Sequence, residues 1–329
     1  MPMPRALGER EIIEIIWKQL DKMPKMPIAF GDDISACQIE SGKLALLKTD
    51  MLVGKTDIPR GMSLWQAARK AVVMNVSDFA AKGAQPRAVL VSLGLPRGMT
   101  RKDVEEIGKG LDAGAREYGA YIIGGDTGET SDLVISVSLF GLGRRGELML
   151  RSGAKPGDLV AVTGLFGKTS AGLKILLHHM KVETAVRERL VESVLLPRAR
   201  LKEGTALCGT GAVTSSIDSS DGLAWSLHEV AKMSRVGFFI DHIPVDENAA
   251  RFAEMNGLDV AELTLYGGEE YELVVTVKPA IWMKAQEAVE KAGGCLFGIG
   301  RVTGEQKVVL RFNGEEQVVE ARGYEHFAI

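Results

Sequence analysis

Five short aspartate segments, spread from one end of the chain to the other, constrain its fold more than any other feature. They read Gly31-Asp32-Asp33, Thr49-Asp50, Asn75-Val76-Ser77-Asp78, Gly124-Gly125-Asp126-Thr127 and Ile217-Asp218-Ser219-Ser220-Asp221-Gly222. Most lie where an apolar, strand-like run meets a glycine or a small polar residue, a place from which ligand-binding side chains commonly project off a rigid scaffold. Carboxylates gathered from such distant segments would form a hard-oxygen site for Mg²⁺, which binds through a few carboxylates together with substrate phosphates. The pattern points to several magnesium ions around a polyphosphate.

A chain of 329 residues exceeds one typical core, so two domains are expected, 1–147 and 148–329, with a turn-rich joint over 151–158. Apolar spacing predicts helices over 9–22, over 63–82 with Ser63 as cap, and over 100–118 capped by Thr100. Strands are expected over 44–49, 87–95, 121–123 and 133–142; the third of these reads as buried and ends at Gly124-Gly125-Asp126. Beyond the joint, strands are expected over 159–162, 238–240, 271–277 and 298–302, and helices over 170–179, 183–195, 198–207 and 280–292. A helix over 221–233 would take Ser219 or Ser220 as its N-cap.

Several function classes are disfavoured. The net charge of −3 and the lack of any lysine/arginine tract give no nucleic-acid footprint. No apolar run approaches the ~18–20 residues of a membrane span, and the charged start does not read as a signal peptide. Cys37, Cys208 and Cys295 are isolated, which suggests buried thiols in a reducing cytosol and a cytoplasmic protein. Two glycine-rich segments are look-alikes. Gly141-Leu142-Gly143-Arg144-Arg145-Gly146 lacks a following helix and reads as a hairpin turn, and Gly164-Leu165-Phe166-Gly167-Lys168-Thr169 is two residues short of a P-loop. The histidines form no triad, and His178, His179, His228 and His242 read as structural.

Taken singly, each aspartate segment is ordinary turn or cap chemistry. Asp78 resists that reading, because a carboxylate inside an apolar helix wants a partner. Gly124-Gly125-Asp126 resists it too, since paired glycines allow close backbone approach to a ligand. The residues by themselves thus lead to Mg²⁺-dependent phosphate chemistry.

The order of the segments adds a resemblance. The aspartate series, with Asn75-Val76-Ser77-Asp78 running on to Pro86, and then Gly267-Gly268-Glu269-Glu270-Tyr271-Glu272-Leu273 and Gly323-Tyr324-Glu325-His326-Phe327, closely resembles the thiamine-monophosphate kinase family from about residue 28 onward. The resemblance implies the two-domain α/β (α+β) fold of the aminoimidazole ribonucleotide synthetase superfamily, with mixed sheets and flanking helices in each domain. It implies transfer of the γ-phosphoryl group of ATP to thiamine monophosphate by a homodimer, with an N-terminal domain for ATP/Mg²⁺ binding and dimerisation. Asp32, Asp33, Thr49, Asp50, Asp78, Asp126, Asp218 and Asp221 would bind Mg²⁺, and Asp50, Asp78 and Asp126 would act in catalysis through the metal. Gly125, Asp126, Arg151 and Ser220 would meet ATP, and Asp57, Glu269 and Tyr324 the thiamine monophosphate. Two departures stand out: Glu270 where the family usually has Asp, and Asp57-Ile58 where it often has His-Phe. A related cyclo-ligase and a non-catalytic nucleotide-binding protein remain as alternatives.

Overall fold

Two mixed sheets carry the fold in the computed structural model, which describes residues 7–21, 23–312 and 314–327. The first sheet comprises β1 (Ser35–Glu40), β2 (Lys43–Val53), β3 (Pro86–Leu95), β4 (Tyr121–Glu129) and β5 (Val134–Arg144), in the order β1-β2-β5-β3-β4. Only β3 and β4 run parallel among these neighbours. The helices of this half are α1 (Glu9–Gln19), α2 (Gly54–Asp57), α3 (Leu64–Ala81) and α4 (Arg101–Glu117). Reciprocal capping boxes, Ser63 with Gln66 and Thr100 with Asp103, fix the starts of the two long helices where the sequence places them. Gly110 of α4 lets the pair close tightly, because a Cβ there would stand 2.2 Å from the Trp65 carbonyl of α3.

The second sheet runs β12-β11-β8-β10-β6-β9-β7. Its strands are β6 (Leu159–Val162), β7 (Val213–Asp218), β8 (Gly237–Ile240), β9 (Leu273–Val277), β10 (Phe297–Thr303), β11 (Val308–Phe312) and β12 (Glu315–Val318). Helices α5 (Lys168–His178), α6 (Thr184–Leu195), α7 (Leu201–Thr210), α8 (Leu223–Ser234), α9 (Glu247–Asn256), α10 (Val260–Tyr266) and α11 (Trp282–Lys291) flank it. Helix α3 is buried on nearly every side because it lies between the first sheet and α7 and β7 of the second half. One apolar cluster runs from Leu46 and Leu139 through Val72 and Phe79 to Leu207, Leu273 and Val275, so the halves share a core. That shared core sets the two sheets' loops against one another.

Several expectations are corrected. Residues 121–123 are not a buried strand that stops at the glycines: Tyr121 and Ile123 are exposed, and β4 continues to Glu129. Gly125 serves the neighbouring strand, since a Cβ there would sit 1.9 Å from the Val91 carbonyl of β3. Helix α8 has Gly222 at its N-cap position with no side-chain cap, and Ser219 Oγ, fully buried, has no hydrogen-bond partner among the described residues, so neither Ser219 nor Ser220 is its N-cap. The segment after Gly146 is not a returning hairpin strand; it crosses to the second half, where Leu150 accepts a hydrogen bond from Ser216 N. In the P-loop look-alike, Gly164 makes room for the Glu272 carboxylate, and the amides of Gly167 and Thr169 donate to Glu270 Oε1 at 2.7 and 3.1 Å. The cysteines are free but not buried: Cys37 and Cys208 are half-buried and Cys295 is exposed. Helix α1 ends at Gln19, and Lys22 lies outside the described residues, as do residues 1–6 at the charged start. Among the described residues no helix is long and apolar enough to cross a membrane.

Candidate active site

Three carboxylates from three distant segments meet at the junction of the halves. Asp33 precedes β1, Asp78 lies on α3 and Asp218 ends β7; one oxygen of each lies within 4.8 Å of the others, and all three are buried. Helix α3 arranges much of this. Ser77 Oγ donates to Asp218 Oδ2 at 2.7 Å, and Asn75 Oδ1 accepts from Asp50 N at 2.9 Å. Just past the helix, Lys82 Nζ lies 2.6 Å from both Asp32 Oδ1 and Asp33 Oδ2 and donates to the Ser216 carbonyl at 2.9 Å. Arg151 closes the other side. Its Nε donates to Asp33 Oδ1 at 2.7 Å, Nη1 to the Gly31 carbonyl at 2.8 Å, and its backbone N to Asp32 Oδ2 at 3.1 Å. Lys48 Nζ lies 3.2 Å from Asp50 Oδ1 and 3.0 Å from Asp78 Oδ2.

These neighbours divide the carboxylates electrostatically. Burial pushes Asp33 up, but Arg151 and Lys82 outweigh it and hold the group below the usual carboxylate range. Burial drives Asp78 well above that range, and Asp218 and Asp50 add to the effect while Lys48 opposes it. Asp218 is pushed up to about 7 by burial and then by Asp33, against the Ser77 hydrogen bond. Asp221 reaches about 6 through burial and the nearby Glu9. Converging carboxylates that resist ionisation are what an added divalent cation relieves, and an all-oxygen donor set suits Mg²⁺. The residues present therefore fit that ion.

The opposite wall is built backbone against backbone. Ser219 N donates to the Glu272 carbonyl (2.8 Å), Tyr271 N to that of Ser219 (3.0 Å), Glu269 N to that of Ser220 (2.6 Å) and Tyr324 N to that of Asp221 (2.9 Å). Such contacts account for two glycines: a Cβ on Gly268 would stand 2.7 Å from Ser220 O, and one on Gly323 2.2 Å from Asp221 O. Glu269 and Tyr271 are held at φ +65° and +53°, a left-handed conformation uncommon outside glycine. Glu269 pairs with the buried Lys70, whose Nζ also donates to the Asp57 carbonyl at 3.2 Å. The Asp57 carboxylate is turned back onto its own loop and accepts from Val53 N at 2.7 Å. Between the walls lies a cleft of about 560 Å³ lined by Asp50, Asp78, Arg151, Asp218, Ser220, Asp221 and Tyr324.

Two sequence-derived candidates, Asp126 and Gly125, stand apart. The register aligns Met51 of β2, Ser136 of β5, Ser92 of β3 and Asp126 of β4 in one row. Asp126 is thus three strand spacings, roughly 14 Å, from β2. It also shares the open face of the sheet with exposed Met51, whereas Asp50 is on the helix-covered face with Lys48 and Leu52. Gly125 lies on the same outer strand. Thr49 is on the open face but lines the same cleft as Asp50 and Asp218, and its Oγ1 donates to the Val137 carbonyl at 3.2 Å. Sequence reasoning missed Lys48, Lys70, Asn75, Ser77 and Lys82. Lys70 and Asn75 sit inside the α3 apolar pattern and Lys82 directly follows it, so the argument that singles out Asp78 would have found them.

The comparisons agree with this architecture. The AIR synthase related protein N-terminal domain family matches residues 31–144 and its C-terminal domain family residues 155–313. The thiamine-monophosphate kinase of Nitrosopumilus maritimus is 35% identical over 98% of this chain and 99% of its own. That of Pyrococcus horikoshii is 37% identical over 97% and 96%. The chain belongs to the thiamine-monophosphate kinase family. Its two-domain mixed α/β fold is that of the solved structure of AaThiL complexed with AMPPCP and TMP, with a TM-score of 0.85, 29% identity and coverage of 99% of this chain and 100% of the other.

Proposed function

We propose that this chain phosphorylates thiamine monophosphate with ATP, giving thiamine diphosphate and ADP, the last step of thiamine diphosphate biosynthesis. The observation that carries the reading is the convergence of Asp33, Asp78 and Asp218, from both halves of a family kinase, at the edge of a cleft. Asp32, Asp33, Asp50, Asp78, Asp218 and Asp221 would hold Mg²⁺, which when bound supplies positive charge against the clustered phosphates. Arg151 and Ser220 would contact ATP. A phosphate monoester is largely ionised at neutral pH, its second pKa being about 6, so the acceptor oxygen attacks the γ-phosphorus without a general base and ADP departs in line. Tyr324, on the cleft wall, offers a ring face to the cationic thiazolium or the aminopyrimidine. Glu269, anchored by Lys70, would accept a hydrogen bond from the aminopyrimidine. Asp57 would act through the backbone turn it stabilises.

The open face of the first sheet supports a homodimer. It exposes Leu47, Met51, Leu90, Phe140 and Leu142, an apolar surface of the kind that marks an interaction site. A two-fold axis parallel to the strands would lay β4 of one copy over β2 of the other at the height of Asp126, so that Gly125 and Asp126 join the partner's nucleotide site. The reading is tested by ADP release from Mg-ATP with thiamine monophosphate and free thiamine as separate acceptors, beside Asp126→Asn. Turnover with the monophosphate alone, lost in the variant, supports it; Mg-ATP binding without turnover on either acceptor overturns it.

A further inference from the structure

We propose that Lys48 is an exchangeable counter-ion of the metal site. Its ammonium neutralises Asp50 and Asp78 in the metal-free chain, and it transfers to a phosphate oxygen of the nucleotide when a divalent cation takes its place. This rests on the phosphotransfer reading above. Among the described residues three cations touch the clustered carboxylates, and their anchoring differs. Lys82 is fully buried and is also held by the Ser216 carbonyl. Arg151 is fixed by the Gly31 carbonyl as well as by Asp33. Lys48 Nζ has Asp50 and Asp78 as its partners and, among the described residues, no backbone carbonyl to hold it.

Position makes the exchange possible. Lys48 and Asp50 alternate onto the same face of β2, so the ammonium reaches its partners by folding back along its own strand. Its side chain is 19% exposed and lines the same cleft as Arg151, Ser220 and Asp221. A divalent cation held between Asp50 and Asp78 would compete with the ammonium for these carboxylates and repel it, so both cannot occupy the gap. Rotation about the four-carbon lysine stem carries the charge from the carboxylates into the cleft without moving the strand.

The test uses Mn²⁺ as probe, counted by electron paramagnetic resonance in the full chain without nucleotide. Lys48→Met is expected to bind Mn²⁺ about tenfold or more tightly than the parent, the scale of one neighbouring charge. With Mn²⁺ saturating, the same variant is expected to bind the non-hydrolysable ATP analogue AMPPCP more weakly. Equal or weaker Mn²⁺ binding by the variant overturns the proposal. Absence of Mn²⁺ binding by both chains removes the metal site and the proposal with it. Amine-reactive labelling of the unaltered chain, read on the Lys48 peptide by mass spectrometry, does not depend on the variant folding. Labelling should rise with Mn²⁺ alone and fall again when AMPPCP is added; a rate indifferent to Mn²⁺ overturns the exchange. Absence of turnover on thiamine monophosphate by the unaltered chain would refute the kinase reading and leave the metal isotherms to decide Lys48 separately.

Discussion

Glu270→Gln should flatten the pH dependence of stability, and the structure sets both sign and size. Glu270 is buried, and burial pushes its carboxyl from an ordinary 4.5 up to about 7, against Lys168 and the amides of Thr169 and Gly167. Its protonated form is therefore favoured in the folded chain. Below pH 4.5 folded and unfolded chains are both protonated, and the contribution to stability is full. As pH rises toward 7 the unfolded chain ionises first, so stability is lost across that window. At 1.36 kcal/mol per tenfold, the loss from this one group is about 3 kcal/mol. Glutamine keeps an oxygen for the two amides and does not titrate. Urea unfolding of both proteins between pH 4.5 and 8 should show the variant gaining about 3 kcal/mol on its parent as pH rises. The change in the difference with pH is the readout, since the new amide NH₂ adds a constant offset. Parallel pH profiles would refute the reasoning and mean that the amides and Lys168 cancel the burial.

Other expectations follow from single contacts. Gly125→Ala must push β4 off β3, where its Cβ would meet a carbonyl at 1.9 Å, while Gly128→Ala on the same strand meets nothing within 4 Å. Thermal melts should show the first losing more than about 2 kcal/mol and the second less than about 1. Arg200→Met would strip the bidentate partner, with Nε–Oε2 at 2.7 Å, from Glu272, whose side chain is 1% exposed; a loss of about 3–5 kcal/mol is expected in urea melts. Lys70→Met should raise KM for thiamine monophosphate several-fold with a smaller effect on kcat, because Glu269 loses its anchor; Lys70→Arg should recover part of it, and an unchanged KM would remove Lys70 from the acceptor site. Leu142→Glu on the open sheet face should give a monomer in sedimentation equilibrium, and a dimer that survives it would move the proposed interface elsewhere.

The long helices were legible because their signals are local. Ser63 and Thr100 with their partners three residues on, and the 3.6-residue apolar period between, mark α3 and α4 without any tertiary information. Short strands such as β6 and β8 were also read, but α10 and β12 were missed for the converse reason. Helix α10 has seven residues and β12 four, too few for a period to show, and they form because the shared core and the sheet neighbours select them.

For the site, residue chemistry by itself picked out the acidic set: carboxylates at the ends of apolar segments and the magnesium they would suit. Which carboxylates actually meet was a tertiary decision. Asp33, Asp78 and Asp218 converge because α3 is buried between the two sheets. Asp126, equally prominent in sequence, is held apart because β4 pairs at the far edge of β3 and turns the residue onto the open face. Lys48 and Lys82 were not visible as site residues either, and the pairing of Arg151 with Asp33 was not visible. Charge pairing depends on distances of a few ångströms between segments far apart in the chain, and local sequence does not encode them.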